Sequence, residues 1–317
     1  MNSILKDGSN IENLSHKRFK ELSVIIVNYN GKAYLLRTLE SIFKNLTGLD
    51  YEVVVVDNGS TDGSVESVKQ AYPSVKLIAL PHNTGFSRGN NEGVRRASGR
   101  YLLILNNDTY LPKGTVEKLL SAKKRFPDCA MVAPLVFNPD NSLQVSWGKD
   151  LNLCSEVFMK LFAEKWYRLL FKLKRGRLSR NVDWVSGACF LIDRDLYQRV
   201  QGFDENFFMY KEDADLGKRL RQLGYRICLN SEARVIHYLR QSTSQYSERI
   251  LKETKKSQLY YYHKHNSRFV IRVLKTYLIF RFSVKCFYYR LKRDHRNRRI
   301  WEEVQQIIRE FDGEDYS

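Results

Sequence analysis

One stretch of the chain carries the fold prediction: Tyr101-Leu-Leu-Ile-Leu-Asn106-Asn107-Asp108-Thr-Tyr-Leu-Pro112. Its five leading apolar residues predict a strand buried on both faces, as in a parallel sheet covered by helices. Two amides and a carboxylate follow, and Pro112 cannot continue the strand. Ligands of open α/β sheets bind outside the carboxyl ends of the strands, so Asp108 is expected at a ligand site. A polar turn held by local hydrogen bonds is the alternative interpretation.

Further apolar runs alternate with helical patterns on both sides of this stretch. Strands are predicted at 22–27, 51–56, 75–80 and 130–137, with helices at 33–45, from about 60 to 72, after 93, and at 113–126. This alternation implies right-handed βαβ units and a parallel sheet. The predicted strands end in Asn, Asp, Gly or His at one common edge. We therefore predict an α/β fold with a nucleotide cleft along that edge.

Two motifs follow in the second half of the chain. Residues 182–192 predict a strand interrupted at 186–188 by small residues, which let backbone approach a ligand closely. A helix is predicted from Glu212 to about residue 223, with Gly224 ending it. Its first turn carries Glu212, Asp213 and Asp215, which either serve chemistry or stabilise the helix start through the dipole. His237 follows a further short strand.

Composition limits the class of protein. The 317 residues, 43% of them apolar, suffice for one large α/β domain or two small ones. Five cysteines lack paired spacing, which predicts neither a zinc site nor a disulfide framework and favours a reducing, cytosolic setting. No secretory signal is expected, and no apolar run reaches the roughly 18 residues that span a bilayer.

The net charge of +18 is concentrated in two segments. Residues 251–300 carry +13 and residues 160–180 carry +7. Because aromatic residues are interleaved with the basic ones at 269–291, we expect contact with an anionic membrane surface. A solvated basic helix and a nucleic-acid surface are the alternatives. The acidic cluster that begins at Glu212 argues against nucleic acid as a partner.

Six motifs in order resemble family 2 glycosyltransferases of the GT-A fold. They lie at 24–31, 55–63, 83–93, 105–108, 183–189 and 202–215. The variant of these motifs is most similar to bacterial rhamnosyltransferases that use dTDP-L-rhamnose to build surface polysaccharides such as O-antigen or capsule. The resemblance implies a GT-A (Rossmann-like), mostly parallel central sheet flanked by helices. With it, we expect a mobile arm at 1–20, a glycosyltransferase domain at 21–245 and a basic aromatic helical extension at 246–317.

The resemblance also implies the donor site. Asp57 with Asn58 matches the contact to the nucleotide base, and nucleotide-sugar binding is expected from Asn28, Asn30, Asp57, Asn58, Asn83, Arg88, Asn91, Asn106 and Asn107. Asp108 matches the family's metal ligand, while Asn106 departs from the first aspartate of the Asp-x-Asp motif. His237 matches a histidine near the metal and diphosphate. Mg²⁺ or Mn²⁺ suits such an oxygen-rich set, bound weakly until the diphosphate completes the shell. A solvated Arg88 and a satisfied buried His237 remain alternatives.

For the chemistry, Asp213 matches the family's catalytic base, with Glu212 and Asp215 as fallback candidates. An inverting transfer needs one such carboxylate and forms no covalent intermediate. Trp184, Gly187 and Ala188 are expected to line the acceptor site.

We expect a polyprenyl-diphosphate-linked or polysaccharide acceptor. The enzyme would then be cytoplasmic and peripheral on the inner face of the bacterial cytoplasmic membrane. The alternatives are a family 2 enzyme that uses a UDP-sugar, and a non-catalytic nucleotide- or nucleic-acid-binding module.

Overall fold

The computed structural model describes residues 20–153, 180–238 and 247–313. The predicted mobile arm, except for Lys20, lies outside the described residues. So does the basic segment 160–180, except for Arg180.

The first half of the chain alternates strands and helices. Its elements are β1 (Leu22–Asn28), α1 (Lys32–Asn45), β2 (Tyr51–Asp57), α2 (Ser64–Ala71), β3 (Lys76–Ala79), α3 (Phe86–Arg95), β4 (Tyr101–Asn106), β5 (Thr109–Tyr110), α4 (Thr115–Arg125) and β6 (Cys129–Phe137). Each predicted strand is present, and β4 is the strand predicted from the opening stretch. The sequence therefore located this half of the fold correctly.

The second half is more irregular. Its described elements are β7 (Leu143–Gln144), β8 (Trp147–Gly148), β9 (Arg180–Val182), β10 (Trp184–Val185), β11 (Cys189–Asp193), α5 (Arg194–Arg199), α6 (Glu212–Gln222), β12 (Arg226–His237), α7 (Ser247–His265), α8 (Arg268–Leu291) and α9 (His295–Glu310). The break between β10 and β11 falls at the predicted small residues 186–188.

The central sheet is mostly parallel, as predicted. Its strand order is β3-β2-β1-β4-β11-β6-β12-β5. Strands β1 to β4 are parallel, and β12 runs parallel to β6. One difference from the sequence series is that β11 lies antiparallel between β4 and β6. The buried apolar residues of β11 fill this central position, which separates β6 from β4.

Helix α3 begins earlier than predicted, inside the glycine-rich motif rather than after it. Two glycines explain why this motif can be helical. A Cβ atom at Gly89 would lie 2.8 Å from Val27 Cγ1, and one at Gly93 would lie 2.6 Å from Ile25 Cγ2. The missing side chains therefore let α3 pack directly against β1.

Helices cover both faces of the sheet. One core contains alternate residues of β1, such as Val24 and Ile26, with α1, α2 and α4. The opposite core contains Ile25 with residues of α3, α5 and α6. Because successive strand side chains point to opposite faces, the uninterrupted apolar runs supply both layers.

Helices α7, α8 and α9 form a third core. It is built from residues such as Tyr261, Leu274 and Phe282, and it reaches α6 and the segment before it through Ala214 and Phe207. The predicted helical extension is therefore present. Its boundary at residue 246 stays a prediction. Among the described residues, no helix combines the length and apolar character needed to cross a membrane.

The expectation that no disulfide forms is wrong for one cysteine pair. Cys129 and Cys228 form a disulfide with their Cα atoms 5.9 Å apart. They lie at the start of β6 and near the start of β12, which are neighbouring parallel strands. Because 99 residues separate them in sequence, only strand pairing brings them together.

Candidate active site

A cavity of about 430 Å³ opens at the carboxyl ends of the strands. Its lining comes from the ends of β1, β2 and β4, the break before β11, the start of α6, the end of β12 and the first turns of α7. The lining includes Asn58, Asn83, Asn106, Asn107, Asp108, Gln144, Gly187, Ala188, Glu212, Asp213, His237 and Arg249. The predicted common edge of the sheet is therefore a single concave site.

Asp108 and His237 meet on one part of this cavity. The pairing of β5 with β12 sets Thr109 opposite His237, and the backbone N–H of Tyr238 donates to the carbonyl of Asp108. The Asp108 Oδ1 atom then lies 2.9 Å from His237 Nε2, and both side chains are largely buried. Asn106 Nδ2 lies 3.2 Å from the same imidazole nitrogen. His237 and the residues 106 and 108, which lie 131 and 129 positions before it in sequence, thus form one donor cluster.

Gln144 orients this histidine, and sequence reasoning missed it. Its Oε1 lies 3.2 Å from His237 Nδ1, so it accepts a hydrogen bond when that nitrogen is protonated. This tautomer leaves the lone pair of Nε2 directed into the space that it shares with Asp108. An amide in a short strand at 143–144 carries no sequence signal for such a role.

Glu212 and Asp213 occupy another part of the cavity, at the N-terminus of α6. The backbone N–H of Ala214 donates to Asp213 Oδ1 at 2.7 Å, and that of Gly187 reaches Asp213 Oδ2 at 3.4 Å. Burial raises the pKa of Asp213. Burial and the neighbouring charge of Asp213 raise the pKa of Glu212 well above its ordinary value. Within the described structure, Glu212 Oε2 is buried without a hydrogen-bond partner.

The chain enters α6 through an unusual backbone. Tyr210 and Lys211 both have positive φ angles, of 67° and 73°. Side chains other than glycine adopt this conformation at a cost, and such residues are concentrated at functional sites. Here it directs residues 212 and 213 into the cavity wall.

Amide side chains organise the side of the cavity where nucleotide binding is predicted. The Asn58 amide donates to Asn83 Oδ1 and to the carbonyl of Gly85, and its own Oδ1 accepts from Thr84. A Cβ atom at Gly85 would lie 2.5 Å from the carbonyl oxygen of Phe208, so only glycine fits there. The loop after β3 is thereby fixed against the segment that precedes α6.

A largely buried hydrogen-bond network supports the loops on this side of the cavity. Asn107 donates to Asn28, which donates to Asp57 Oδ2 at 3.0 Å. Asp57 Oδ1 accepts the N–H of Ser60, and Asn30 Oδ1 accepts the N–H of Thr61. Asn28, Asn30 and Asp57 do not line the cavity, so they shape the loops around it.

The structure does not bring Arg88, Asn91 or Trp184 to the cavity. Arg88 is exposed, with Nε 3.8 Å from Glu205. Asn91 holds the loop at Phe203 by donating to its carbonyl and accepting its N–H. Trp184 donates its indole N–H to the carbonyl of Lys149.

Asp215, a fallback candidate for the base, is fully buried. It contacts Arg219, Lys264 and His265 at 2.7 to 2.8 Å. Burial alone would raise the pKa of Asp215, but the His265 hydrogen bond and the two cationic side chains lower it to about 2. Its role is to join α6 to the end of α7.

Helix α7 supplies cavity residues that sequence reasoning missed. Arg249, Ile250 and Glu253 line the cavity, and the Arg249 guanidinium lies 5.2 Å from the centre of the Phe208 ring. Among the described lining residues, Arg249 is the one arginine or lysine. Arg249 lies just before the +13 segment 251–300, for which a membrane contact is predicted, and outside every motif of the family resemblance. The helical spacing of 249, 250 and 253 was the available signal.

The family model described as glycosyl transferase family 2 matches residues 23–201. N-acetylglucosaminyl-diphospho-decaprenol L-rhamnosyltransferase of Mycobacterium tuberculosis is 31% identical over 238 residues, covering 70% of this chain and 77% of that protein. O-antigen biosynthesis protein RfbC of Myxococcus xanthus is 28% identical over 68% of this chain, which spans 17% of RfbC.

The fold is also found among solved structures. The crystal structure of GalNAc-T7 with UDP, GalNAc and Mn²⁺ superposes with a TM-score of 0.54 at 17% identity. That alignment covers 78% of this chain and half of the GalNAc-T7 chain. Because the sequence identity is low, the similarity supports the fold and nothing about function. The matched region of more than half the chain, together with the mycobacterial relative, shows that the protein belongs to glycosyltransferase family 2 and has the GT-A fold.

Proposed function

We propose that the protein transfers L-rhamnose from dTDP-L-rhamnose to a lipid-linked acceptor, with inversion at the anomeric carbon. One observation carries the proposal: the Asp108–His237 pair and the Glu212–Asp213 pair line the same cavity. The relative that acts on a diphospho-decaprenol acceptor supports the choice of sugar and acceptor. A UDP-sugar donor is the second candidate.

A divalent cation, Mg²⁺ or Mn²⁺, fits the Asp108 cluster. A carboxylate oxygen and an imidazole nitrogen 2.9 Å apart face one space, and Gln144 favours the tautomer with a free lone pair there. In the described residues no third carboxylate, histidine or cysteine joins them. Asp108 and His237, with Asn106 beside them, would therefore hold the ion together with donor oxygens. When bound, such an ion neutralises charge on the leaving diphosphate.

Asp213 is the proposed general base. Its Oδ2 atom faces the N–H of Gly187 in the cavity wall, beside the expected acceptor residues 187 and 188. It takes the proton of the acceptor hydroxyl as that oxygen attacks the anomeric carbon. The bond from sugar to phosphate breaks at the same time, and its electron pair leaves with the diphosphate. The raised pKa of Asp213 makes it a stronger base than an exposed aspartate.

Arg249 is the proposed cationic partner of the diphosphate, in place of Arg88. Arg249 lines the cavity, whereas Arg88 is exposed beside Glu205. A guanidinium held in one orientation stabilises the negative charge that develops on the leaving diphosphate in the transition state. The Phe208 ring under Arg249 restricts its orientation.

A panel of nucleotide sugars tests the proposal. We expect dTDP-L-rhamnose to be hydrolysed slowly without acceptor and transferred quickly to a polyprenyl-diphosphate-linked acceptor, with chelation abolishing both reactions. Product stereochemistry tests inversion. A preference for a UDP-sugar would establish the second candidate, and activity that survives chelation would contradict the metal assignment.

The enzyme is proposed to act at an anionic membrane surface, because a lipid-linked acceptor resides there. The net charge of +13 on residues 251–300 supports this location.

A further inference from the structure

Helix α8 presents an uncovered row of large apolar side chains. Its members are Phe269, Val273, Phe280, Val284, Phe287 and Leu291, with exposed fractions between 39% and 72%. At 100° per residue all six fall within a 60° arc of the helix, on the side opposite the buried Leu274, Leu278 and Phe282. The row extends over about 33 Å at the helical rise of about 1.5 Å per residue. We call it the α8 apolar row.

The surroundings of this row are basic. Helix α8 contains no acidic residue. Arg268, Arg272 and Arg290 are exposed along one flank of the row, and Lys292 and Arg293 are exposed just beyond its end. An apolar stripe bordered by arginines matches the boundary between acyl chains and anionic headgroups.

We propose that the α8 apolar row is a membrane-docking surface that inserts into an anionic lipid leaflet, with α8 lying in the plane of the interface. Only the placement of the acceptor in that membrane rests on the proposed function. The membrane contact itself rests on the exposed α8 apolar row and on the basic residues beside it.

Other occupants fit the row less well. Two copies of α8 face to face would bring their arginines together without acidic partners. Nucleic acid suits the charges, but the aliphatic members Val273, Val284 and Leu291 offer no surface for base stacking. No described helix is long and apolar enough to cross the bilayer, so the contact is interfacial.

The α8 apolar row is linked to the cavity through the buried core that α7, α8 and α9 share. Helix α8 is stacked on α9 through Phe282 and Trp301, whose ring centres are 4.9 Å apart. Tyr262 of α7 belongs to the same buried cluster, and the first turns of α7 line the cavity. Docking through α8 would therefore hold the cavity in a fixed relation to the lipid surface.

Sedimentation of the full chain with vesicles tests this proposal, without donor or acceptor present. The vesicles are phosphatidylcholine with or without phosphatidylglycerol, each at low and high salt. The row variant is Phe280→Ser with Phe287→Ser. A matched control, Phe126→Ser with Leu223→Ser, removes two apolar side chains that are also exposed but lie just beyond the ends of α4 and α6. Circular dichroism and thermal unfolding verify that both variants fold.

We expect wild type and control to bind anionic vesicles and to keep part of this binding at high salt, because acyl-chain contacts are not screened. The row variant should bind at least about tenfold more weakly and lose the salt-resistant part. Replacing Arg268, Arg272 and Arg290 by Gln should weaken the salt-sensitive part alone.

A folded row variant that binds as wild type does would overturn the proposal. So would concentration-dependent dimers that the row variant abolishes, or binding to RNA without binding to vesicles. Donor hydrolysis is measured separately: if it fails while vesicle binding persists, the proposed function is wrong and the docking surface stands.

Discussion

At the scale of single residues, Asp108 is the most informative position in the cavity. Its carboxylate lies 2.9 Å from His237 and is the only one within residues 105–112. Asp108→Asn keeps the shape and removes the charge, so we expect transfer to fall by at least about 10²-fold while thermal unfolding changes little. Manganese binding, followed by its paramagnetic signal, should weaken in parallel. Near-wild-type transfer at saturating Mn²⁺ would rule out a metal-binding role for Asp108.

Asp213 should control the pH dependence of transfer. Its pKa is raised by burial, and a general base works only after losing its proton. The rate should therefore rise with pH through a value above the ordinary 3.8 of an aspartate. Asp213→Asn should lower the rate by about 10²–10⁴-fold and remove this rise. Donor affinity, measured by calorimetry, should change little, and a defect confined to donor binding would take Asp213 out of the base role.

Replacing Glu212 is expected to change stability more than catalysis. A carboxyl group whose pKa is raised on folding stabilises the protein below its unfolded pKa and loses that contribution as pH rises through the folded value. Because Glu212 is buried with one unpartnered oxygen, Glu212→Gln should raise the unfolding temperature at neutral pH and lose this advantage in acid. Its effect on transfer should be smaller than that of Asp213→Asn. The reverse order of rates would make Glu212 the base.

At the scale of elements, we expect opposite results from replacing the arginine of α3 and the arginine of α7. Arg249 of α7 lines the cavity, and Arg88 of α3 is paired with Glu205 at the surface. Arg249→Ala should reduce kcat/KM for the donor by about 10²-fold and weaken dTDP binding. Arg88→Ala is the matched control and should leave both unchanged. If Arg88→Ala causes the larger loss, the diphosphate lies near α3 instead.

Helix α3 also shows how a loop-like composition can hide a helix. The helix contains two glycines and two asparagines, which favour turns when read locally. Packing decides otherwise, because Gly89 and Gly93 allow contact with Val27 and Ile25. Asn91, expected at the nucleotide, is used to hold the loop at Phe203. A motif match therefore located the segment without locating the contacts of each side chain.

At the scale of the whole molecule, Asp215 ties the catalytic half to α7–α9. Its carboxylate is surrounded by Arg219, Lys264 and His265. Asp215→Asn leaves these cations without their acidic partner, so the free energy of unfolding should fall by about 3–5 kcal/mol. Denaturant titration measures this loss, with Asp195→Asn, 84% exposed, as the matched control.

Asp215 should also cause the free energy of unfolding to fall with pH in the acid range, a dependence that we call the acid limb. The pKa of Asp215 is lowered to about 2, so its contribution is present above the unfolded value of about 3.8 and is lost as pH falls toward 2. The Asp215→Asn variant should lack this limb. An unchanged acid transition would contradict the assignment.

The sequence by itself determined the sheet, the polar edge and the family. Short apolar runs that alternate with helical patterns indicate buried strands, and parallel strands present their carboxyl ends together. Asp108, His237, Glu212 and Asp213 stand out by their place after a strand or at a helix start, and the family resemblance implied their roles. These are local patterns, so they can be read along the chain.

Tertiary structure alone decided which residues share the cavity. Gln144 and Arg249 reach it, Arg88 and Trp184 do not, and Cys129 meets Cys228 across a strand pair. Which face of α8 is exposed depends on the packing of its opposite face against α9. Each of these contacts joins segments far apart in sequence, and their distance depends on how strands and helices pack rather than on any local pattern.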